Sequence, residues 1–158
     1  MRAILQRVAR ASVEWAEADG SARSNEIGRG LLVLAAAGAD DSSATVERMA
    51  AKVAQLRIFP DSQGRTNLSL DDIHGEALVV SQFTLYADVS RGRRPSFLGA
   101  GDRAQAAAFL EHFVRQLSGR GIPTRTGSFG ATMMVSLDND GPFTVALSND
   151  AWQTRIHA

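Results

Sequence analysis

The sequence predicts an α+β fold, with mostly antiparallel strands and two helices in a single domain. Three observations carry this. Apolar runs of strand length recur along the chain, two segments show helical spacing behind capping residues, and those segments stand far apart with strands between them. A chain of 158 residues with 44% apolar residues is long enough for one domain with a core of its own.

The opening stretch RAILQRVARASVEW reads as a strand, and the turn formers of ADGSARSNEIGRG follow it. Asp19-Gly20 is a hairpin tip, because Gly accepts the positive φ that such tips require. GLLVLAAAG, Gly30 to Gly38, has no polar side chain and is read as a central strand buried on both faces.

Ser42 and Ser43 can cap a helix whose apolar positions are Val46, Met49, Val53 and Leu56. LRIFPDSQGRTNLSL is then a long loop, and GEALVVSQFTLYAD a second central strand. SRGRRPSFLGAG is a basic loop. Asp102 caps a second helix with the stripe Ala106, Phe109, Leu110, Phe113 and Leu117, which Gly119 and Gly121 stop. MMVSL and FTVAL are read as strands flanking a hairpin turn at DNDG. The stretch NDAWQTRIHA has weak periodicity and reads as a frayed end, with Trp152 and Ile156 as residues that could dock. No repeat and no linker is visible.

Composition narrows the function. No stretch approaches the roughly 20 apolar residues of a membrane helix, and the N-terminal stretch lacks the features of a signal peptide, so a cytoplasmic location is expected. Without cysteine there is no disulfide framework, thiolate metal site or cysteine nucleophile. A net charge of zero disfavours a broad basic face. Sixteen of the 17 basic residues are arginine, however, which leaves room for local phosphate contacts that depend on geometry.

Ordinary hydrolase machinery is missing from the motifs: there is no G-x-S-x-G and no H-E-x-x-H. His74, His112 and His157 read as surface histidines, and Asp40-Asp41 and Asp71-Asp72 as capping groups. In VVSQFTLYAD, strand alternation puts Gln82, Thr84 and Tyr86 on one face and Ser81, Phe83 and Leu85 on the other. Spacing alone does not decide whether Ser81, Gln82 and Thr84 face a ligand or satisfy local backbone groups beside a bulge. No base is evident to activate Thr84 as a nucleophile, so it reads as a positioning group. Arg91, Arg93 and Arg94 stand in a loop bounded by Gly92 and Pro95, shaped for phosphate contacts or simply solvated. On its own residues Gly141-Pro142 is expected to be trans, since only about 5–6% of such bonds are cis.

Together, MRAILQRVARASV, IGRGLLVL, LRIFPD with GRTNLS, VVSQFTLYAD, GRRPSF, FGATM and NDGPFT resemble the D-aminoacyl-tRNA deacylases of the bacterial and eukaryotic type, from Met1 to about Leu147. The resemblance implies a domain over residues 1–148 with a tail at 149–158, a barrel-like core, and a cytoplasmic homodimer with sites at the subunit interface. It implies hydrolysis of the ester of D-aminoacyl-tRNA, and of glycine mischarged on tRNA(Ala), as chiral proofreading in translation. It implies no metal or cofactor, and neither membrane nor DNA as a partner.

Carried over, Ser81, Gln82, Phe83 and Thr84 line the ester site, with the Phe83 amide as donor to the oxyanion. Gly141, Pro142, Phe143 and Thr144 form a chiral filter in which a cis Gly141-Pro142 offers main-chain carbonyls to the partner's site. Phe129, Gly130, Ala131 and Met133 form an adenosine pocket, and Arg91, Arg93 and Arg94 contact tRNA phosphates. Catalysis is attributed to the tRNA's own terminal ribose hydroxyl. Phe143 stands where the family usually has valine and Ser128 where a basic residue is common. The alternatives are a tRNA-binding module that has lost turnover, or a related deacylase with altered chiral choice.

Overall fold

In the computed structural model, which describes residues 1–90 and 92–150, the first strand organises the rest. Strand β1 (Arg2–Ala16) is 15 residues long and pairs antiparallel with three others. Its first half lies beside β3 (Gly30–Ala36), and its second half beside β2 (Ala22–Ile27). Its other edge is covered by β8 (Met133–Ser148). The expected first hairpin is present, and Gly20 at its tip has φ +81°.

From β3 the sheet continues in parallel to β6 (Glu76–Ser81) and then β7 (Thr124–Thr126). The ends of this path meet, because Asn25 on β2 donates from Nδ2 to the Thr126 carbonyl at 2.7 Å. This nearly closes the sheet into a barrel. Among the described residues there are two α-helices, α1 (Ser43–Gln55) and α2 (Arg103–Ser118), and none is long and apolar enough to cross a membrane.

Strand alternation divides the interior into two layers. Leu31, Val33 and Ala35 of β3, with Ala77 and Val79 of β6, pack with α1 and α2 around Phe59 and Phe113. Leu32, Leu78 and Val80 point the opposite way, into a barrel core with Val8, Val13 and Ile27. On β1, Leu5 belongs to the helix-covered layer and Val13 to the barrel core. Both positions are odd, so strict alternation would give them one face. Register shifts around Val8 change the face between them.

The structure corrects three expectations. MMVSL and FTVAL are not arms of a hairpin: both run antiparallel to β1, as parts of one strand interrupted at Asp140–Phe143. A strand that already has a partner on β1 along both halves needs no fold-back. The loop after α1 contains a short ribbon, β4 (Phe59–Pro60) with β5 (Thr66–Leu68), closed by Asp61, which accepts from the amides of Gln63 and Arg65. Finally, the strand begun at Glu76 ends at Ser81, and Phe83–Tyr86 forms a 3₁₀ turn. The expected alternation of residues 82–86 therefore does not occur.

Both predicted caps are formed. The Ser42 hydroxyl accepts from the Thr45 amide at 3.3 Å, and the Asp102 carboxylate accepts from Ala104 at 2.9 Å and Gln105 at 3.3 Å. Trp152, Ile156, His157 and Arg91 lie outside the described residues.

Candidate active site

The parallel strands β3 and β6 end side by side, with Ala35 opposite Ser81. In parallel sheets a crevice commonly lies beyond the carboxyl ends of the strands. Here it is a cavity of about 390 Å³ lined by Ala35–Ala37, Ser81–Phe83, Phe97 and the start of α2, with Phe129 and Gly130 opposite. An adjoining cavity of about 410 Å³ shares Ser81, Leu110 and Phe129 and runs along α2 to Glu111 and Arg115.

The small Ala35, Ala36 and Ala37 leave the space open. The Gln82 amide donates to the Ala35 carbonyl at 2.9 Å and the Gly101 amide to Ala37 at 3.0 Å, so both walls are tied to the end of β3. Phe83 is 59% exposed, and its ring meets Phe97 edge to face at 5.0 Å. As the first residue of the 3₁₀ turn, Phe83 has an amide with no acceptor inside that turn. Gln82 Nε2 donates to the Thr84 hydroxyl. Beneath the wall, Tyr86 packs against Gly38 and Gly99, with the Arg2 guanidinium over its ring at 4.2 Å. Burial, with Asp41 nearby, pushes its phenol well above the ordinary range.

Phe129 and Gly130 are the central residues of a turn closed by the Ala131 amide donating to Ser128 at 3.2 Å. Gly130 has φ +77°, as a type II turn requires at that position. Met133 stands apart from this cavity, packed against the barrel core and beside Trp15 in a separate surface groove.

Gly141 and Pro142 occupy the interruption of β8, and their peptide bond is cis, contrary to the trans form expected from the residues alone. Both are exposed and do not line the cavity of their own chain. The segment is held from several sides. Asn139 accepts from the Phe143 amide at 2.6 Å, and Gln6 Nε2 donates to the Thr144 hydroxyl at 3.3 Å. Arg7 donates from Nε to the Asp140 carbonyl at 2.8 Å and from Nη1 to Ile58 at 2.7 Å, and its guanidinium faces the Phe143 ring at 4.9 Å.

Of the residues expected at a site, the fold brings together Ser81, Gln82, Phe83, Phe129 and Gly130, with Thr84 bonded at the rim. Arg93 and Arg94 lie exposed in their loop. Sequence reasoning passed over Arg7, Asn139 and Arg103. Arg7 had a signal, as a charged residue inside the apolar opening strand.

The family model described as D-Tyr-tRNA(Tyr) deacylase matches residues 4–148. The chain belongs to the D-Tyr-tRNA(Tyr) deacylase family. It is 50% identical over 153 residues to a D-aminoacyl-tRNA deacylase of Herpetosiphon aurantiacus, covering 97% of each chain. A protein of the same name from Roseiflexus castenholzii is 52% identical, over 94% of this chain and 92% of that one. Among solved structures, one titled c-Myc DNA Unwinding Element Binding Protein superposes with a TM-score of 0.85 at 38% identity, over 96% of this chain and 100% of that one. A probable eukaryotic D-amino acid tRNA deacylase shares the fold, with a TM-score of 0.81 at 19% identity over 92% of this chain and 97% of that one. The deacylase family thus accounts for nearly the whole described chain.

Proposed function

We propose that this protein hydrolyses the ester of D-aminoacyl-tRNA, and of glycine mischarged on tRNA(Ala), to free amino acid and tRNA. The observation that carries the reading is the cavity beyond β3 and β6, which gathers Ser81, Gln82 and Phe83 opposite Phe129 and Gly130 in a member of this family.

The Phe83 amide is aimed at the carbonyl oxygen, where negative charge develops as water adds. Ser81, Gln82 and Thr84 orient the ester and that water. The terminal ribose hydroxyl of the tRNA assists the water, and the ester bond breaks with the ribose oxygen taking up a proton. This division of labour fits a site whose Thr84 hydroxyl has an amide donor beside it and, among the described residues, no base. The flat faces of Phe83 and Phe129 suit the terminal adenine, and Gly130 with Ala131 leaves room for it.

Gly141 and Pro142 serve the cavity of a second copy, where their carbonyls hold the α-amino group and leave no room for an L side chain. Their exposure, and their absence from their own chain's cavity, support that arrangement. Residues 1–148 form the catalytic domain of a cytoplasmic homodimer.

The test compares hydrolysis of D-tyrosyl-, L-tyrosyl- and glycyl-tRNA with EDTA present, alongside sedimentation. Rapid loss of the D-tyrosyl and glycyl esters by a dimer, with the L ester spared, is expected. Equal rates on both enantiomers, or a fully active monomer, would overturn the chiral assignment; tRNA binding without turnover would favour a binding module.

A further inference from the structure

Among the described residues that line the cavity one is charged, Arg103, and none of the steps above uses it. Arg103 is the first residue of α2, placed there by the Asp102 cap. Its guanidinium lies against the main chain of Gly130: a Cβ at that glycine would stand 2.5 Å from Nη2 and 3.2 Å from Cζ. Gly130 is favoured by the positive φ of its turn, and a side chain there would displace the guanidinium from this position.

The Arg103 side chain has no hydrogen bond or ion pair among the described residues. The adjacent Asp102 carboxylate is engaged by the amides of Ala104 and Gln105. The contrast with the adjoining cavity is direct, since Arg115 on its lining pairs with Glu111 at 3.7 Å. An exposed guanidinium beside the Gly130 main chain, with its N–H groups free at the edge of a cavity, is a fork for an oxyanion.

We propose that Arg103 binds the phosphodiester group that joins the terminal adenosine of the substrate to the preceding nucleotide. This rests on the deacylase reading. A cavity of about 390 Å³ with two aromatic walls accepts a nucleoside carrying a small acyl group. The nucleoside itself is neutral, and the ester has no carboxylate, so the anion nearest to it in the substrate is that phosphate. Arg103 then fixes how deep the nucleotide sits, and so where the ester carbonyl falls relative to the Phe83 amide.

The experiment measures inhibition of D-tyrosyl-tRNA hydrolysis by adenosine, 5′-AMP and free D-tyrosine, in the wild type, Arg103→Ala and Arg103→Lys. The wild type should bind 5′-AMP better than adenosine by about tenfold or more, the worth of a charge-assisted hydrogen bond. Arg103→Ala should abolish that preference with adenosine unaffected, and Arg103→Lys should keep part of it. A preference that survives in Arg103→Ala, or is missing in the wild type, overturns the proposal. Equal weakening of both ligands would give Arg103 a packing role and overturn it too. Selective loss of D-tyrosine inhibition would move the contact to the product carboxylate. Direct titration of 5′-AMP against adenosine tests the phosphate contact even in a protein found to lack D-tyrosyl-tRNA hydrolysis. That result would sink the deacylase reading by itself.

Discussion

The Nε of Arg7 lies 2.8 Å from the main-chain oxygen of Asp140 and 3.2 Å from its carboxylate. One guanidinium thus grips both backbone and side chain of the residue before Gly141. Its Nη1 is tied to the Ile58 carbonyl, and its side chain is only 11% exposed. Arg7→Lys keeps the charge and loses the fork, so the two carbonyls cannot both be served. We expect denaturant unfolding to show a loss of about 1–3 kcal/mol, the usual scale for charged hydrogen bonds. D-tyrosyl-tRNA hydrolysis should fall under conditions where the variant is still folded. Unchanged turnover would mean that the 140–143 segment does not need this clamp.

Gly141 tolerates no side chain for a separate reason. A Cβ there would sit 2.7 Å from the Phe143 nitrogen and 3.1 Å from its Cβ. Gly141→Ala should displace the segment locally while the sheet, paired on either side of the interruption, persists. Expected are a native far-UV spectrum and hydrolysis of the D ester reduced at least about tenfold, or weakened rejection of the L ester. Wild-type rates with wild-type selectivity would remove Gly141 from the proposed filter.

Legibility in the sequence followed the range of the interactions. The β3 strand, both helices and their caps depend on runs and spacings within one element, and they were readable. The continuity of β8 was not, because N-D-G-P reads locally as a turn, whereas pairing with the whole length of β1 carries the strand through it. The layer change between Leu5 and Val13 depends on register shifts that leave no mark on β1 alone. At the site, Ser81, Gln82 and Phe83 stood out as a motif, yet the end of the strand at Ser81 did not. Arg103 drew no notice in the sequence, and its approach to Gly130, 27 positions away, is a long-range contact that no local pattern marks.

The helix-covered layer includes Phe113 of α2, whose side chain is fully buried. Phe113→Ala should cost about 3–5 kcal/mol, the range for truncating a buried ring in a packed core. Helix α2 also carries Arg103 and Leu110 to the cavity, so ligand binding should weaken along with stability. A loss below about 1 kcal/mol in equilibrium unfolding would show that the layer can close the void.

If the basic loop tracks the acceptor strand, replacing Arg93 and Arg94 together by alanine should weaken tRNA binding without touching the fold, since both are exposed. The salt dependence of binding should flatten by about 0.7 in log–log slope for each single-strand phosphate that an arginine no longer neutralises. Filter binding from low to moderate salt measures this, and an unchanged slope assigns both residues to solvent.

Thr84 separates positioning from nucleophilic attack. Its hydroxyl accepts from Gln82 Nε2, and an amide N–H cannot remove its proton. His112 is occupied with Glu47 at 3.1 Å, and His74 stands in the turn before β6. Among the described residues Thr84 therefore has no base, and without one it has no route to the alkoxide it would need. Thr84→Ala should therefore keep activity on D-tyrosyl-tRNA within about tenfold, whereas loss of a covalent nucleophile lowers kcat by about four orders of magnitude or more. Gln82→Ala, which leaves the hydroxyl in place and removes its donor, should cost a similar modest factor, because both residues orient the same ester. Steady-state rates for the two variants, with acid-quenched samples searched for acylated protein, decide the matter. An acyl group on Thr84, or a collapse of turnover confined to Thr84→Ala, would make it the nucleophile after all.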